Sequence, residues 1–327
     1  MKSRKLGRNG FHVTEVGLGC WQLGGKNWGD DMNNDRAFKI LQTAVDQGIR
    51  FFDTADEYGE GQSESLIGAF LKTTDVDIKV ATKFGKSVKV GNNFNEAILR
   101  ESVEASAERL GQKTIDLLQL HCVPQTVLED GAIFHWLGRL QREGKIAHFG
   151  ASVESVEEAL ICLEQPGLQS LQVIYNIFRQ KLSTALLPQA QSKGVGIIVR
   201  LPLASGLLTG KFNKDTKFAE NDHRNFNQGG KFFNAGETFA GLLFDKGLAL
   251  SEYLKTLCPP NMTMVQMALR WTLDHDAVST VIPGASSTEQ VIGNATASTL
   301  DPLPDSLMKR LEAFYANQVH QHIHGVY

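Results

Sequence analysis

The stretch Asp35-Arg-Ala-Phe-Lys-Ile-Leu-Gln-Thr-Ala-Val-Asp-Gln-Gly48, running directly into Ile49-Arg-Phe-Phe-Asp53, decides the fold. In its first part Phe38, Leu41, Ala44 and Val45 recur at helical spacing, and Gly48 stands where a helix is expected to stop. The run that follows is short, apolar and ends in a carboxylate, which suits a strand of a parallel sheet covered by helices. The same unit recurs downstream. Asn95 to Gly111 places Ile98, Val103, Ala107 and Leu110 on one stripe, and Ile115-Asp-Leu-Leu-Gln-Leu-His121 follows within a few residues. Further strand-like runs are Glu15–Gly19, Ile78–Lys83, Ile146–Ser152, Leu171–Tyr175, Val195–Arg200 and Thr280–Pro283. Eight strands alternating with helices, with no Pro- or Gly-rich linker, predict one (β/α)8 barrel domain over residues 1–327. A doubly wound nucleotide fold fits less well. Gly17-Leu-Gly-Cys-Trp-Gln-Leu-Gly-Gly25 is no GxGxxG and does not continue into a helical pattern. Three additions are expected: an N-terminal β-hairpin, a long loop after strand seven (residues 212–239, a candidate lid), and an extra helix after Pro304 followed by a frayed end.

Composition narrows the function. The chain has 327 residues, with 33 Lys and Arg against 36 Asp and Glu, a formal net charge of −3. That balance argues against nucleic acid as the main partner, because phosphate binding calls for clustered excess Lys and Arg. No apolar run approaches the roughly 18–20 residues of a membrane span. The first ten residues lack the apolar centre of a secretory signal. Cys20, Cys122, Cys162 and Cys258 are scattered without metal-like spacing and read as reduced thiols of a cytoplasmic protein.

In a barrel of this kind the chemistry sits at the carboxyl ends of the strands. Asp53, Lys83, His121 and Ser152 end four consecutive strands and are 30, 38 and 31 residues apart. Any one of them is readily explained as a strand cap. Together they converge on one mouth, since polar groups ending apolar runs are costly unless paired or solvated. Tyr58 lies on the loop just beyond Asp53. An ordinary tyrosine titrates near pKa ~10, too high for an efficient acid or base at neutral pH. A buried ammonium beside it is expected to lower that value, with Lys83 as the candidate and Asp53 holding Lys83 charged. His121 is expected to hydrogen-bond a substrate oxygen through a ring nitrogen of undetermined tautomer. Such a set donates a proton to a carbonyl oxygen. It includes neither a nucleophile nor a metal cluster.

Phe52-Asp-Thr-Ala-Asp-Glu-Tyr-Gly59, Ala81-Thr-Lys-Phe84 and Leu118-Gln-Leu-His121 resemble the signatures of the aldo-keto reductase superfamily. Phe149-Gly-Ala-Ser152, Leu171-Gln-Val-Ile-Tyr-Asn176, Pro202-Leu-Ala-Ser-Gly-Leu-Leu-Thr-Gly-Lys211 and Val281-Ile-Pro-Gly-Ala-Ser286 carry the resemblance along nearly the whole chain. It implies a (β/α)8 barrel and NAD(P)H-dependent reduction of an aldehyde or ketone. Tyr58 would be the proton donor, and Asp53, Lys83 and His121 complete the catalytic four.

The resemblance also implies a cofactor site. Cys20, Trp21 and Asp53 would line it, and Ser152 and Gln172 would hold the nicotinamide carboxamide. Arg200 takes a place where many relatives stack an aromatic ring. Leu203, Gly206, Thr209 and Lys211 would clasp the pyrophosphate, and Gly284, Ser286, Gln290 and Asn294 would surround the 2′-phosphate and adenine. Val153 stands where many relatives have Asn, and Gly293 where many have Glu. Ser286 and Gln290 replace the Lys and Arg of the reductases that grip NADPH hardest. The expectation is NADP(H), with NAD(H) left open. Trp21, Trp28, Tyr58 and His121 are the expected substrate contacts.

Other residues are expected to be structural. Trp136 and Trp271 read as core, and Cys122 as packing. His320, His322 and His324 would share one face of an extended tail and so offer metal ligands, but a mobile tail is the simpler expectation. Two alternatives to the reductase stay open: an NADP(H)-binding regulatory subunit that senses redox state, and an NAD-dependent sugar or polyol dehydrogenase. The expected partner is a small-molecule carbonyl compound, with no nucleic acid and no membrane; the oligomeric state is not legible.

Overall fold

A computed structural model describes residues 1–29, 32–87 and 90–327. Strands β1 (Ser3–Lys5) and β2 (His12–Thr14) form the antiparallel N-terminal hairpin. Eight strands then follow: β3 (Leu18–Gly19), β4 (Phe51–Asp53), β5 (Lys79–Phe84), β6 (Ile115–His121), β7 (Ile146–Ser152), β8 (Leu168–Ile174), β9 (Gly196–Arg200) and β10 (Val278–Val281). They make one parallel sheet with neighbours in chain order. Parallel bridges from Val16 to Val281 and from Gly19 to Gly284 bring the last strand back to the first, so the sheet curls into an α/β barrel. All eight runs expected from the sequence appear, with β3 shorter than its apolar run.

The helices between strands form for local reasons. Helix Asn34–Asp46 starts where the Asn33 side chain accepts from the Arg36 amide, and the left-handed Gly48 follows its end. It buries Ala37, Ile40, Leu41, Ala44 and Val45, while Phe38 packs half-buried at the edge. Helix Glu96–Leu110 is capped by Asn95 and closed by Gly111 at φ 66°. Its buried stripe is Leu99, Val103, Ser106 and Leu110, turned by about one residue from the sequence expectation, so that Ile98 and Ala107 lie at its margin.

Inside the barrel Phe51, Ala81, Leu117, Ile198 and Ile282 pack against Leu6 and Val13 of the hairpin. Burial of each of these larger side chains, Ala81 aside, contributes about 1.5–3 kcal/mol. The hairpin thereby plugs the amino-terminal end, leaving the carboxyl end of the strands open. The 212–239 segment folds into the short helix His223–Phe226 and a series of tight turns rather than a loose loop. The extra helix is present at Asp305–Phe314.

The frayed, mobile tail is not what the structure contains. Arg179 Nη2 donates to the Val326 carbonyl at 2.6 Å, and its guanidinium lies 4.2 Å from the centre of the Tyr327 ring. The Tyr327 hydroxyl meets that of Tyr315 at 2.5 Å, and the His324 amide donates to Gly241. His320–His322 is a 3₁₀ turn, so the three histidines do not share the face an extended strand would give them. Arg179 lies 147 residues from Val326 in sequence, which is why its role as an anchor was not legible. Among the described residues no helix is long and apolar enough to cross a membrane.

Candidate active site

Strand register assembles the charged centre. Asp53 pairs with Ala81, which puts Lys83 two residues further up β5, so its side chain leans back over Asp53. The Lys83 ammonium donates to Asp53 Oδ1 at 2.5 Å, to the Thr54 carbonyl at 2.7 Å and to the Tyr58 hydroxyl at 3.2 Å. All three of its donors are used. The other Asp53 oxygen accepts from Gln119 Nε2 at 2.9 Å and from Gln172 Nε2 at 2.7 Å. Gln119 was not singled out from the sequence. It sits in the middle of an apolar run, and only its register opposite Lys83 gives it away.

The loop bearing Tyr58 is held by a close backbone approach. Gly59, at φ 64°, lies so near Gly24 that a Cβ there would sit 2.4 Å from the Gly24 carbonyl oxygen. The Trp21 ring stacks on Tyr58 at 6.0 Å between centres, and His121 stands edge-on to Tyr58 at 6.0 Å.

One electrostatic expectation is corrected. Burial pushes the Tyr58 phenol above its ordinary value, and Lys83 opposes the shift without reversing it. The ammonium acts with the expected sign. It is itself half-neutralised by Asp53, however, and the loss of water outweighs it. Lys83 is held above its ordinary value, because its partners Asp53 and Tyr58 overcome a burial that acts the other way. Burial, followed by the fields of Lys86, Lys83 and Arg200, keeps His121 well below the usual imidazole range, so it is neutral near pH ~7. Its Nδ1 is buried without a partner among the described residues.

A cavity of about 780 Å³ opens over this centre and runs on past the ends of β9 and β10. Of the residues expected to hold cofactor, Cys20, Trp21, Asp53, Gln172, Arg200, Leu203, Gly206, Thr209, Lys211, Gly284, Gln290 and Asn294 line it. Trp28, Tyr58 and His121, expected at the substrate, line it as well. Two of the expected residues lie just behind this wall. Ser152 is buried, its hydroxyl 3.4 Å from Oε1 of Gln172, which does line the cavity. Ser286 lies beside the lining residue Ser287, and its amide donates to Gln290 Oε1 at 2.7 Å.

The cavity also presents residues that the sequence reading missed. Lys86, Arg224, Phe233 and Glu237 line it, the last three from the 212–239 segment. Glu237 forms a buried ion pair with Arg200, and Arg200 Nη2 also donates to the Val153 carbonyl at 3.2 Å. A carboxylate in a polar, irregular stretch carries no signal of its own. Only the fold brings it to Arg200.

The walls fit a dinucleotide. Leu201, Ala204 and Ser205 are left-handed without being glycine, and Gly206 has φ 103°. Such strain costs about 1–3 kcal/mol per residue and turns backbone amides toward a ligand. A Cβ on Gly206 would lie 2.6 Å from the Phe212 ring, so the bend demands glycine. Lys211 supplies a cation on the same wall, and the N-terminal turn of helix Thr288–Ala295 faces the far end.

An α/β barrel with a buried Asp–Lys–Tyr centre and a neutral histidine at its open end defines an oxidoreductase of the nicotinamide-using barrel class. The profile of the Aldo/keto reductase family matches residues 15–316, and the chain belongs to that family. It is 29% identical to the NADH-specific methylglyoxal reductase of Escherichia coli, over 92% of this chain and 94% of that protein. It is 27% identical to a probable voltage-gated potassium channel subunit beta of Arabidopsis thaliana, over 93% of each. The holo form of aldo-keto reductase AKR11C1 from Bacillus halodurans superposes with a TM-score of 0.78 at 28% identity, covering 100% of this chain and 98% of that one.

Proposed function

We propose that the protein reduces an aldehyde or ketone to an alcohol with NADP(H), Tyr58 giving the proton to the carbonyl oxygen. The carrying observation is the Tyr58 hydroxyl 3.2 Å from Lys83 Nζ, which is in turn bound to Asp53, on the wall of one long cavity. When bound, the nicotinamide supplies the hydride to the carbonyl carbon. The raised Tyr58 pKa keeps the phenol protonated at neutral pH, as a proton donor must be. As the proton leaves, Lys83 stabilises the phenolate, so its contribution grows toward the transition state. Neutral His121 steadies the carbonyl oxygen without competing for the proton.

NADP(H) rather than NAD(H) is the carrier suggested by the resemblance over residues 284–294, and it is supported by Ser287 and Gln290, which bring a hydroxyl and an amide to the cavity at the start of helix Thr288–Ala295. Tyr58→Phe tests the proton donor. Its kcat is expected to fall by about 10²–10⁴ with the NADPH Kd unchanged, and a variant keeping more than about a tenth of wild-type kcat refutes the role. Fluorescence titration with NADPH and NADH tests the carrier, and a tenfold preference for NADH overturns that choice. A redox-sensing subunit would hold NADPH inert: stopped-flow oxidation by carbonyls faster than release excludes it.

A further inference from the structure

Leu117, Gln119 and His121 alternate along β6 and so point to the same side of the sheet, into the barrel. Leu117 belongs to the inner apolar cluster and His121 lines the cavity. Gln119 lies between them, fully buried, with a leucine on either side of it in the chain. An amide in such a place is costly unless it is hydrogen-bonded, whereas an apolar side chain would need no partner.

The bonds of this amide lead to the reacting centre. A carboxylate only accepts, so both amides that meet Asp53 Oδ2 turn their N–H groups to it. Gln119 Nε2 stands 2.9 Å away and Gln172 Nε2 2.7 Å. Gln119 Oε1 is then left to accept from Gln172 Nε2 at 3.3 Å, so the two side chains lock each other's orientation. This clamp holds one oxygen of Asp53 while the other accepts from the Lys83 ammonium, which also donates to the Tyr58 hydroxyl. Two roles for Gln119 can be weighed. As a packing residue it fills space beneath His121, and any side chain of its volume would serve. As a donor it governs how much of the Asp53 charge reaches Tyr58. The field of Asp53 opposes the phenolate, and an N–H aimed at Oδ2 offsets part of that field. An amide buried where packing needs none favours the second role.

We propose that Gln119 is a positioning residue for the proton transfer, holding Asp53 on Lys83 and shielding the Tyr58 phenolate from the carboxylate. This rests on the carbonyl-reductase reading above. Gln119→Met keeps the volume and removes both hydrogen bonds, while Asp53 Oδ2 keeps Gln172 as a donor, so the variant is expected to fold. At saturating NADPH its kcat for carbonyl reduction is expected to fall about three- to thirtyfold, with the carbonyl KM within about twofold of wild type. Alcohol oxidation with NADP⁺ uses the phenolate and so rises with pH; in the variant that rise is expected at higher pH. Because Gln119 acts through Asp53, adding Gln119→Met to Asp53→Asn is expected to change kcat less than about twofold.

A kcat within about twofold of wild type overturns the proposal, as does a loss carried by KM instead. So does a pH profile that coincides with wild type or moves to lower pH. A kcat loss as large in the Asp53→Asn background as alone would mark a packing role and also overturn it. Gln119→Leu loses the same bonds and is read in the same way; failure of both variants to fold would assign Gln119 to the core and refute the positioning role. One readout needs no turnover: the ultraviolet difference titration of Tyr58 in the free enzyme, referenced to Tyr58→Phe. It is expected to move to higher pH in Gln119→Met, and an unmoved titration refutes the proposal. If no carbonyl oxidises NADPH in the wild type, the reductase reading fails, while this titration still judges Gln119.

Discussion

Replacing Lys83 by Met probes the centre of the site most directly. Its ammonium sits 3.2 Å from the Tyr58 hydroxyl. An ammonium–phenolate pair at that distance is worth about 5 kcal/mol at an effective dielectric constant near 20. Asp53, 2.5 Å from the same nitrogen, opposes the phenolate and cancels part of it, leaving about 2–4 kcal/mol that the variant loses. The Tyr58 pKa, already raised, is expected to move further up. The assay is the pH profile of kcat, backed by an ultraviolet difference titration of the variant against Tyr58→Phe. Removing the cation leaves Asp53 buried with Gln119 and Gln172 as its side-chain donors, so a stability cost of about 3–5 kcal/mol is expected and is read by thermal melting. Lys83→Arg, which keeps the charge, separates the two effects by restoring most of the stability and part of the profile. A tyrosine limb in Lys83→Met within about half a unit of wild type would refute the electrostatic role.

Two further outcomes follow from the surroundings. Asp56 is pushed up to about 6, first by burial and then by the carboxylate of Glu64. Its folded pKa thus exceeds the unfolded one, so the stability it contributes is present below about pH 4 and is lost as pH rises through about 6. Asp56→Asn should raise the Tm at neutral pH and flatten that loss between about pH 4 and 6; a parallel shift at all pH values would contradict the assignment. Gly206→Ala forces a Cβ to within 2.6 Å of the Phe212 ring at φ 103°. It should weaken NADPH binding at least tenfold, read by fluorescence, with the barrel melting within a few degrees of wild type; an unchanged Kd would remove the 201–206 bend from the cofactor wall.

How much of this was legible depended on the range of the physics involved. Helix stripes, stop glycines and apolar runs are local, so the eight strands and their order could be read from residues 15–283, with boundaries off by up to three positions. The mouth was legible because Asp53, Lys83 and His121 each end such a run. Gln119 was not, since nothing local marks a buried amide among leucines. Neither was Glu237, whose partner lies 37 residues away. Ser152 carried the right signal for a strand end, yet its side chain turned inward to Gln172.

The direction of the Tyr58 shift marks the boundary most clearly. That a lysine would stand beside the phenol follows from the repeating strand–helix unit, which returns each strand end to the same rim. Whether the lysine or the loss of water dominates depends on how deeply the loop is buried under Trp21 and how tightly Asp53 holds the ammonium. Residue order alone places Asp53, Lys83 and His121 on one rim, with Tyr58 just beyond it. Only the tertiary structure decided their solvation, because the dielectric around a charge is set by everything packed near it and not by its neighbours along the chain.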